Sequence, residues 1–192
     1  MKNQFWQDFQ YYYLCPKDPR LEYRSVIEKS YLFWKEIWFN SLNEIENVEK
    51  MYADNFSRCD YFSVLFYQDE PILMCLFTKH DISTILTTDD SYFQIWPKEV
   101  FKSMIQKNIS DVMVCSHYTL GTKYRQIDQY KVKDLVLGLT HCAYQDSGLP
   151  YMLGTTRNLK KTNLLMYSMG CIPLAQNIIY HGEPSDLVIL KL

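Results

Sequence analysis

The order strand, helix, strand between residues 111 and 155 constrains this chain more than any other feature. Asp111–Thr119 carries Val-Met-Val-Cys-Ser-His-Tyr, an apolar run without clean alternation, as suits a strand buried on both faces. Val132–Asp146 puts Leu135, Leu139 and Cys142 on one helical face, and Gly148 follows as a C-terminal cap. Tyr151–Thr155 is again strand-like. A strand that returns to its sheet through a helix runs parallel to the first. The two strands are therefore expected to be parallel neighbours.

The remaining elements fill out a sheet around that crossover. Residues 61–67 read as a strand, Gln68-Asp69-Glu70-Pro71 as a turn, and Ile72–His80 as the returning strand. The Thr-rich residues 83–95 are expected to hold a third strand, and Pro97 opens a helix through Gln106. Residues 22–53 place Val26, Ile27, Tyr31, Trp34, Ile37, Trp38, Leu42 and Ile45 at helical spacing. Asn40 and Asn43 mark a possible break there, so one long helix or two short ones are open. Residues 1–20, aromatic and broken by Pro16 and Pro19, are open between a helix and a loosely packed arm. A helix near Thr162–Met169 ends at Gly170, and strands follow near Ile172–Tyr180 and Leu187–Leu192. The order predicts an α+β (α/β mixed-sheet) fold. The expectation is a single domain over 1–192, with a helical N-terminal region at 1–55 and a core at 60–192.

Charge and cysteine usage exclude several function classes. A formal net charge of −2 offers no electrostatic footprint for nucleic acid. No apolar run reaches the ~18 residues of a spanning helix. The N-terminus, Met-Lys-Asn-Gln-Phe-Trp-Gln-Asp, lacks the apolar core of a secretory signal, so a cytoplasmic protein is expected. None of the 6 Cys forms a Cys-x-x-Cys pair, and they read as reduced thiols. The 4 His are scattered, so no metal site is expected. Aromatic residues make up 16%, which reads first as a large core and second as an apolar groove for a long substrate.

Three short stretches carry a resemblance. Leu120-Gly121-Thr122-Lys123-Tyr124-Arg125 precedes a loop, residues 126–133, without glycine, and Leu135-Val136-Leu137-Gly138-Leu139 follows it. Residues 151–173 run from a strand through an Asn-containing turn to a helix ending Leu-Met-Tyr-Ser-Met-Gly-Cys. His181-Gly182 lies near the end. Over roughly residues 60–192 this series resembles the GNAT-type N-acyltransferases. In pattern it is closest to their N-acyl amino acid synthase and acyl-homoserine-lactone synthase branch. The resemblance implies a three-layer fold, with a central mixed, mostly antiparallel sheet flanked by helices. It implies an acyl thioester donor, acyl carrier protein or acyl-CoA, and no tightly bound cofactor. A small amine, such as an amino acid, would be the acceptor. The donor would lie between the strands at 112–119 and 151–155.

The same resemblance assigns candidate residues. Tyr118, Thr119, Leu120, Lys123, Arg125, Lys131 and Lys133 would meet the donor, the basic ones at phosphate or at an acidic carrier surface. His117, late in its strand, is the candidate base, with a hydrogen-bonded structural histidine as the plainer reading. Tyr167 is the candidate acid, although it stands one residue from the family register, ~100° around a helix. Arg157, Asn158 and His181 would bind the acceptor; turn or capping roles compete for Asn158. Cys115 reads as a buried inert thiol, and Trp34 and Trp38 as core before acyl-tunnel wall. Two other readings stay open: a catalytically silent binding protein of this fold, and an acetyl-CoA-dependent protein or small-molecule N-acetyltransferase.

Overall fold

A computed structural model describes residues 9–122, 132–159 and 161–191. Seven strands form one sheet: β1 (Phe9–Leu14), β2 (Tyr61–Tyr67), β3 (Glu70–Asp81), β4 (Asp111–Leu120), β5 (Tyr151–Arg157), β6 (Ile172–Tyr180) and β7 (Glu183–Lys191), in the order β1-β2-β3-β4-β5-β7-β6. Pairs β1–β2, β2–β3, β5–β7 and β6–β7 are antiparallel. The pair β4–β5 is parallel, with Met113 opposite Met152 and Val114 opposite Leu153. The crossover between them is α5 (Val132–Ser147), so the constraint read from residues 111–155 holds. The other helices are α1 (Arg24–Glu46), α2 (Asp54–Arg58), α3 (Ile85–Thr88), α4 (Lys98–Gln106) and α6 (Thr162–Ser168). None of the described helices is long and apolar enough to cross a membrane.

Two compact units divide the chain. The first comprises residues 1–78 and 116–146, the second residues 79–115 and 147–192. In the first, β2 is buried from Phe62 to Phe66 and β3 from Pro71 to Phe77, which is why both read as apolar runs. Phe62, Val64, Phe66, Met74 and Leu76 form one core with Trp34, Phe56 and Leu14. Val26, Ile27, Tyr31, Trp38 and Leu42 of α1 pack against that core, as their helical spacing requires. In the second unit Ile82, Phe93, Trp96, Phe101, Met104 and Val112 pack with Leu153, Leu187 and Ile189.

Tertiary context overrode the local signal in three places and decided a fourth that the sequence left open. Residues 9–14 form neither helix nor arm but an edge strand: Tyr11, Tyr12 and Tyr13 pair with Leu65, Val64 and Ser63. Tyr13 stacks on Tyr61 at 4.8 Å, and aromatic cross-strand pairs of this kind stabilise a sheet edge. Residues 83–95 hold no strand. Thr84 accepts a hydrogen bond from the Thr87 N–H and starts the short α3, after which turns at Asp90 and Phe93 lead to Trp96. The long helix runs through Asn40 and Asn43 and ends where Asn47 turns left-handed at φ 51°. The last strand begins at Glu183 rather than Leu187, because a two-residue turn joins it to β6.

Phe62 is fully buried at the centre of the first core. Phe62→Ala is expected to lower unfolding stability by about 3–5 kcal/mol, measured as a lower urea midpoint at unchanged slope.

Candidate active site

Among the described residues, each unit holds a polar centre. The centre of the first unit is His117, which lies on β4 with φ at +55°, in the left-handed region. Histidine enters that region more readily than most residues, yet inside a strand it breaks the alternation of side chains. Its Nδ1 lies 3.0 Å from Ser116 Oγ, and its Nε2 lies 3.4 Å from Asn55 Nδ2 on α2. The ring sits between the indoles of Trp34 and Trp38, at centroid distances of 5.7 and 4.7 Å. Thr119 Oγ1 donates to the His117 carbonyl at 2.8 Å and accepts from Trp38 Nε1 at 3.0 Å. The backbone turn at His117 is thus clamped from the side-chain layer above it. Tyr118 Oη is hydrogen-bonded to Thr140 Oγ1 on α5.

The predicted donor residues divide. Tyr118 and Leu120 are half-buried and Thr119 is fully buried, its hydroxyl used internally. Lys123, Arg125 and Lys131 lie outside the described residues. Lys133 falls in the first turn of α5, and its side chain also lies outside them. Trp34 is a core residue, fully buried, while Trp38 joins core to site.

The centre of the second unit is Asp186 on β7, which the sequence reading missed. It is 2% exposed. Its Oδ1 accepts from Asn158 Nδ2 at 2.9 Å and the Asn177 N–H at 2.8 Å. Its Oδ2 accepts from Tyr167 Oη at 2.5 Å and Asn163 Nδ2 at 3.0 Å. Burial pushes this carboxyl up, and the four donors together outweigh it and hold it below the ordinary range. Burial and the bond to Asp186 push the Tyr167 hydroxyl above its usual value. A charged residue opening the apolar run Leu187–Leu190 was the available signal for Asp186.

This centre absorbs several predicted residues. Tyr167, on α6, donates a hydrogen bond to Asp186 and accepts one from Gln176 at 3.3 Å. Asn158 does not cap α6, whose N-cap position is Lys161. Arg157 forms an ion pair with Glu183, both largely buried. His181 and Gly182 both have positive φ, 47° and 70°, so the His-Gly pair is the two-residue hairpin turn between β6 and β7. The His181 ring packs on Tyr180 at 4.2 Å. Nearby in the unit, Tyr92 Oη bonds Thr155 Oγ1 of β5 at 3.0 Å. Burial pushes the Cys59 thiol up to about 12 and the Cys171 thiol up to about 11, so neither supplies a thiolate at neutral pH.

No protein-family model and no curated protein sequence matches the chain. Solved structures do match, and they place the architecture in one class: the chain has the GNAT acyltransferase fold. It is similar to the AHL synthase LasI at a TM-score of 0.63 and 8% identity, covering 95% of this chain and 88% of that one. It is similar to FeeM, an N-acyl amino acid synthase from uncultured soil microbes, at 0.54 and 10% identity, covering 95% and 89%. It is also similar to BjaI, a CoA-dependent acyl-homoserine lactone synthase in complex with SAM and isopentyl-CoA, at 0.61 and 10% identity, covering 95% and 83%.

Asp186→Ala is expected to cost at least ~3 kcal/mol, because several buried donors lose their acceptor at ~1–3 kcal/mol each. Asp186→Asn isolates the charge. A depressed carboxyl contributes stability above its unfolded value near pH ~4, and that contribution disappears as pH falls through the folded value. The stability gap between wild type and Asp186→Asn should therefore be constant above about pH 5 and shrink below about pH 4. Urea titrations at stepped pH check it.

Proposed function

We propose that this protein is an N-acyltransferase. It moves an acyl group from an acyl thioester, carried by acyl carrier protein or coenzyme A, to the amine of a small acceptor such as an amino acid. The observation that carries this reading is His117. A half-buried imidazole is held on three sides on β4 of a GNAT-type sheet, at a left-handed backbone position that local propensity does not favour. Such strained positions cost about 1–3 kcal/mol, persist only where their surroundings over-determine them, and cluster at active sites.

The chemistry needs a deprotonated amine and a polarised thioester carbonyl. His117 takes the amine proton, directly or through one water, the general-base role an imidazole can fill. Backbone N–H groups at the end of β4 stabilise the oxyanion as the amine attacks. Tyr118 and Leu120, half-buried, line the donor's path, and Thr119, fully buried, holds the His117 carbonyl behind them. Tyr167 belongs to the scaffold in this reading, since its proton is held by Asp186. Arg157, Asn158 and His181, in the second unit, are the candidate acceptor-binding residues, Arg157 being ion-paired with Glu183.

The donor follows from the loop at 126–133. A glycine-free loop keeps backbone N–H groups at a distance from a coenzyme A pyrophosphate. A carrier-bound pantetheine has a single phosphodiester and needs less room. Lys123, Arg125, Lys131 and Lys133 suit the acidic surface of a carrier protein. Turnover is expected with long-chain acyl carrier protein and little with acetyl-CoA, at a rate that falls as ionic strength rises. Efficient turnover of acetyl-CoA would move the protein to the N-acetyltransferases. Binding of the acylated carrier without transfer, in an intact His117 protein, would make it a silent binding protein.

Arg125→Ala is expected to weaken the acylated carrier by about 1–3 kcal/mol, the range for a charge-assisted contact. Titration calorimetry of the carrier against wild type and variant checks this. Equal affinities return Arg125 to the solvated surface.

A further inference from the structure

Ser116 and His117 are consecutive on a strand, and in a regular strand their side chains would point to opposite faces. They do not. The left-handed turn at His117 brings its Nδ1 within 3.0 Å of Ser116 Oγ. On the far side of the ring, the Asn55 amide stands 3.4 Å from Nε2. Trp34 and Trp38 hold the ring plane, and Thr119 holds the His117 carbonyl. A hydroxyl, an imidazole and an amide in line have the arrangement of an activated nucleophile: the base in reach of the nucleophile, and a third group orienting the base. Ser116 is only half-buried.

We infer that Ser116 is a nucleophile, and that acyl transfer proceeds through an acyl-serine ester, with His117 as its base and Asn55 as the positioning residue. This rests on the acyltransferase reading above and replaces direct attack by the amine with two displacements. In the first, Ser116 Oγ bonds to the thioester carbonyl carbon while its proton passes to His117 Nδ1. The C–S bond then breaks, and the imidazolium returns the proton to the departing thiolate. In the second, the amine attacks the ester carbonyl and its proton passes to Nδ1. The C–O bond breaks, the proton returns to Ser116 Oγ, and the amide leaves. Water in place of the amine releases the free acid.

The role of Asn55 follows from tautomers. For Nδ1 to accept the serine proton, Nε2 must carry its own hydrogen and needs an acceptor. A half-turn of the Asn55 amide exchanges Nδ2 for Oδ1 and supplies one. Asn55→Asp keeps an acceptor there and is expected to retain the reaction. Asn55→Leu removes it and is expected to slow the reaction about tenfold or more, within the range of general-base effects.

The experiment treats the full chain with decanoyl pantetheine thioester without amine, and separately with a decyl fluorophosphonate, which releases fluoride on bonding to an activated serine. Intact mass and peptide mapping read the adduct. The expected result is one adduct per chain on Ser116, a burst of free pantetheine, and at least ~100-fold slower adduct formation in Ser116→Ala and in His117→Ala. Mapping on wild type does not depend on any variant folding. Adducts on Cys75 or Cys115, removed by neutral hydroxylamine, overturn the inference. Amide formation from a mixture of the common amino acids at an equal rate in wild type and Ser116→Ala, with no adduct, overturns it and leaves the acyltransferase reading standing. No amide and no adduct with either acyl carrier protein or pantetheine donors overturns both.

Discussion

A buried carboxylate must be satisfied by protein groups when water cannot reach it, and Asp186 organises the second unit on that condition. Four donors converge on its two oxygens. They come from the end of β5, from two positions on α6 and from the backbone of β6. Asn177 can donate from its N–H because it is left-handed, at φ 57°, within a stretch where β6 shifts register against β7. The irregularity of the edge strand and the polar centre are therefore one feature. It also turns Asn158 away from capping and commits the proton of Tyr167. The bulged edge has a second consequence, since an irregular strand is a poor template for pairing with another chain.

In the first unit the corresponding constraint is conformational. A left-handed residue inside a strand is unfavourable by itself, and the clamp at His117 overcomes this with contacts from both directions. Thr119 ties down its carbonyl, Trp38 ties down Thr119, and two indoles trap the ring. The aromatic richness of α1 thus serves the site as well as the core. Trp34 is spent on burial, whereas Trp38, one turn further along the same helix face, faces the functional strand. The two centres differ in kind. Asp186 is buried and saturated by four donors, whereas His117 is half-buried with its ring nitrogens beside Ser116 and Asn55.

Much of the architecture was legible because its signals are local. Apolar runs of strand length, helical spacing in residues 24–42 and 132–146, and glycine at 148 and 170 each report on a few neighbouring residues. The parallel pair followed from element order alone, since a helix between two strands of one sheet leaves a single outcome. Residues 9–14 were not legible for the opposite reason. Three consecutive tyrosines suit a helix or a strand equally, and the partner that decides, β2, lies about fifty residues away in sequence. The Thr-rich segment at 83–95 failed similarly: β propensity was present, but Asp81, Thr84 and Asp90 supplied turn hydrogen bonds that no flanking strand could match.

By itself, the sequence determined the parallel crossover and, with the elements around it, the fold class, because those rest on periodicity and connection length. It also marked His117 as a candidate by its place late in a strand, and Tyr167 through the family resemblance. Only the tertiary structure decided which groups the two residues meet. The Tyr167 hydroxyl finds its carboxylate 19 positions away, and His117 finds Asn55 62 positions away. No local pattern encodes either meeting. The same holds for the side-by-side placement of Ser116 and His117, which strand alternation forbids and a left-handed backbone turn, sustained by packing from distant residues, permits.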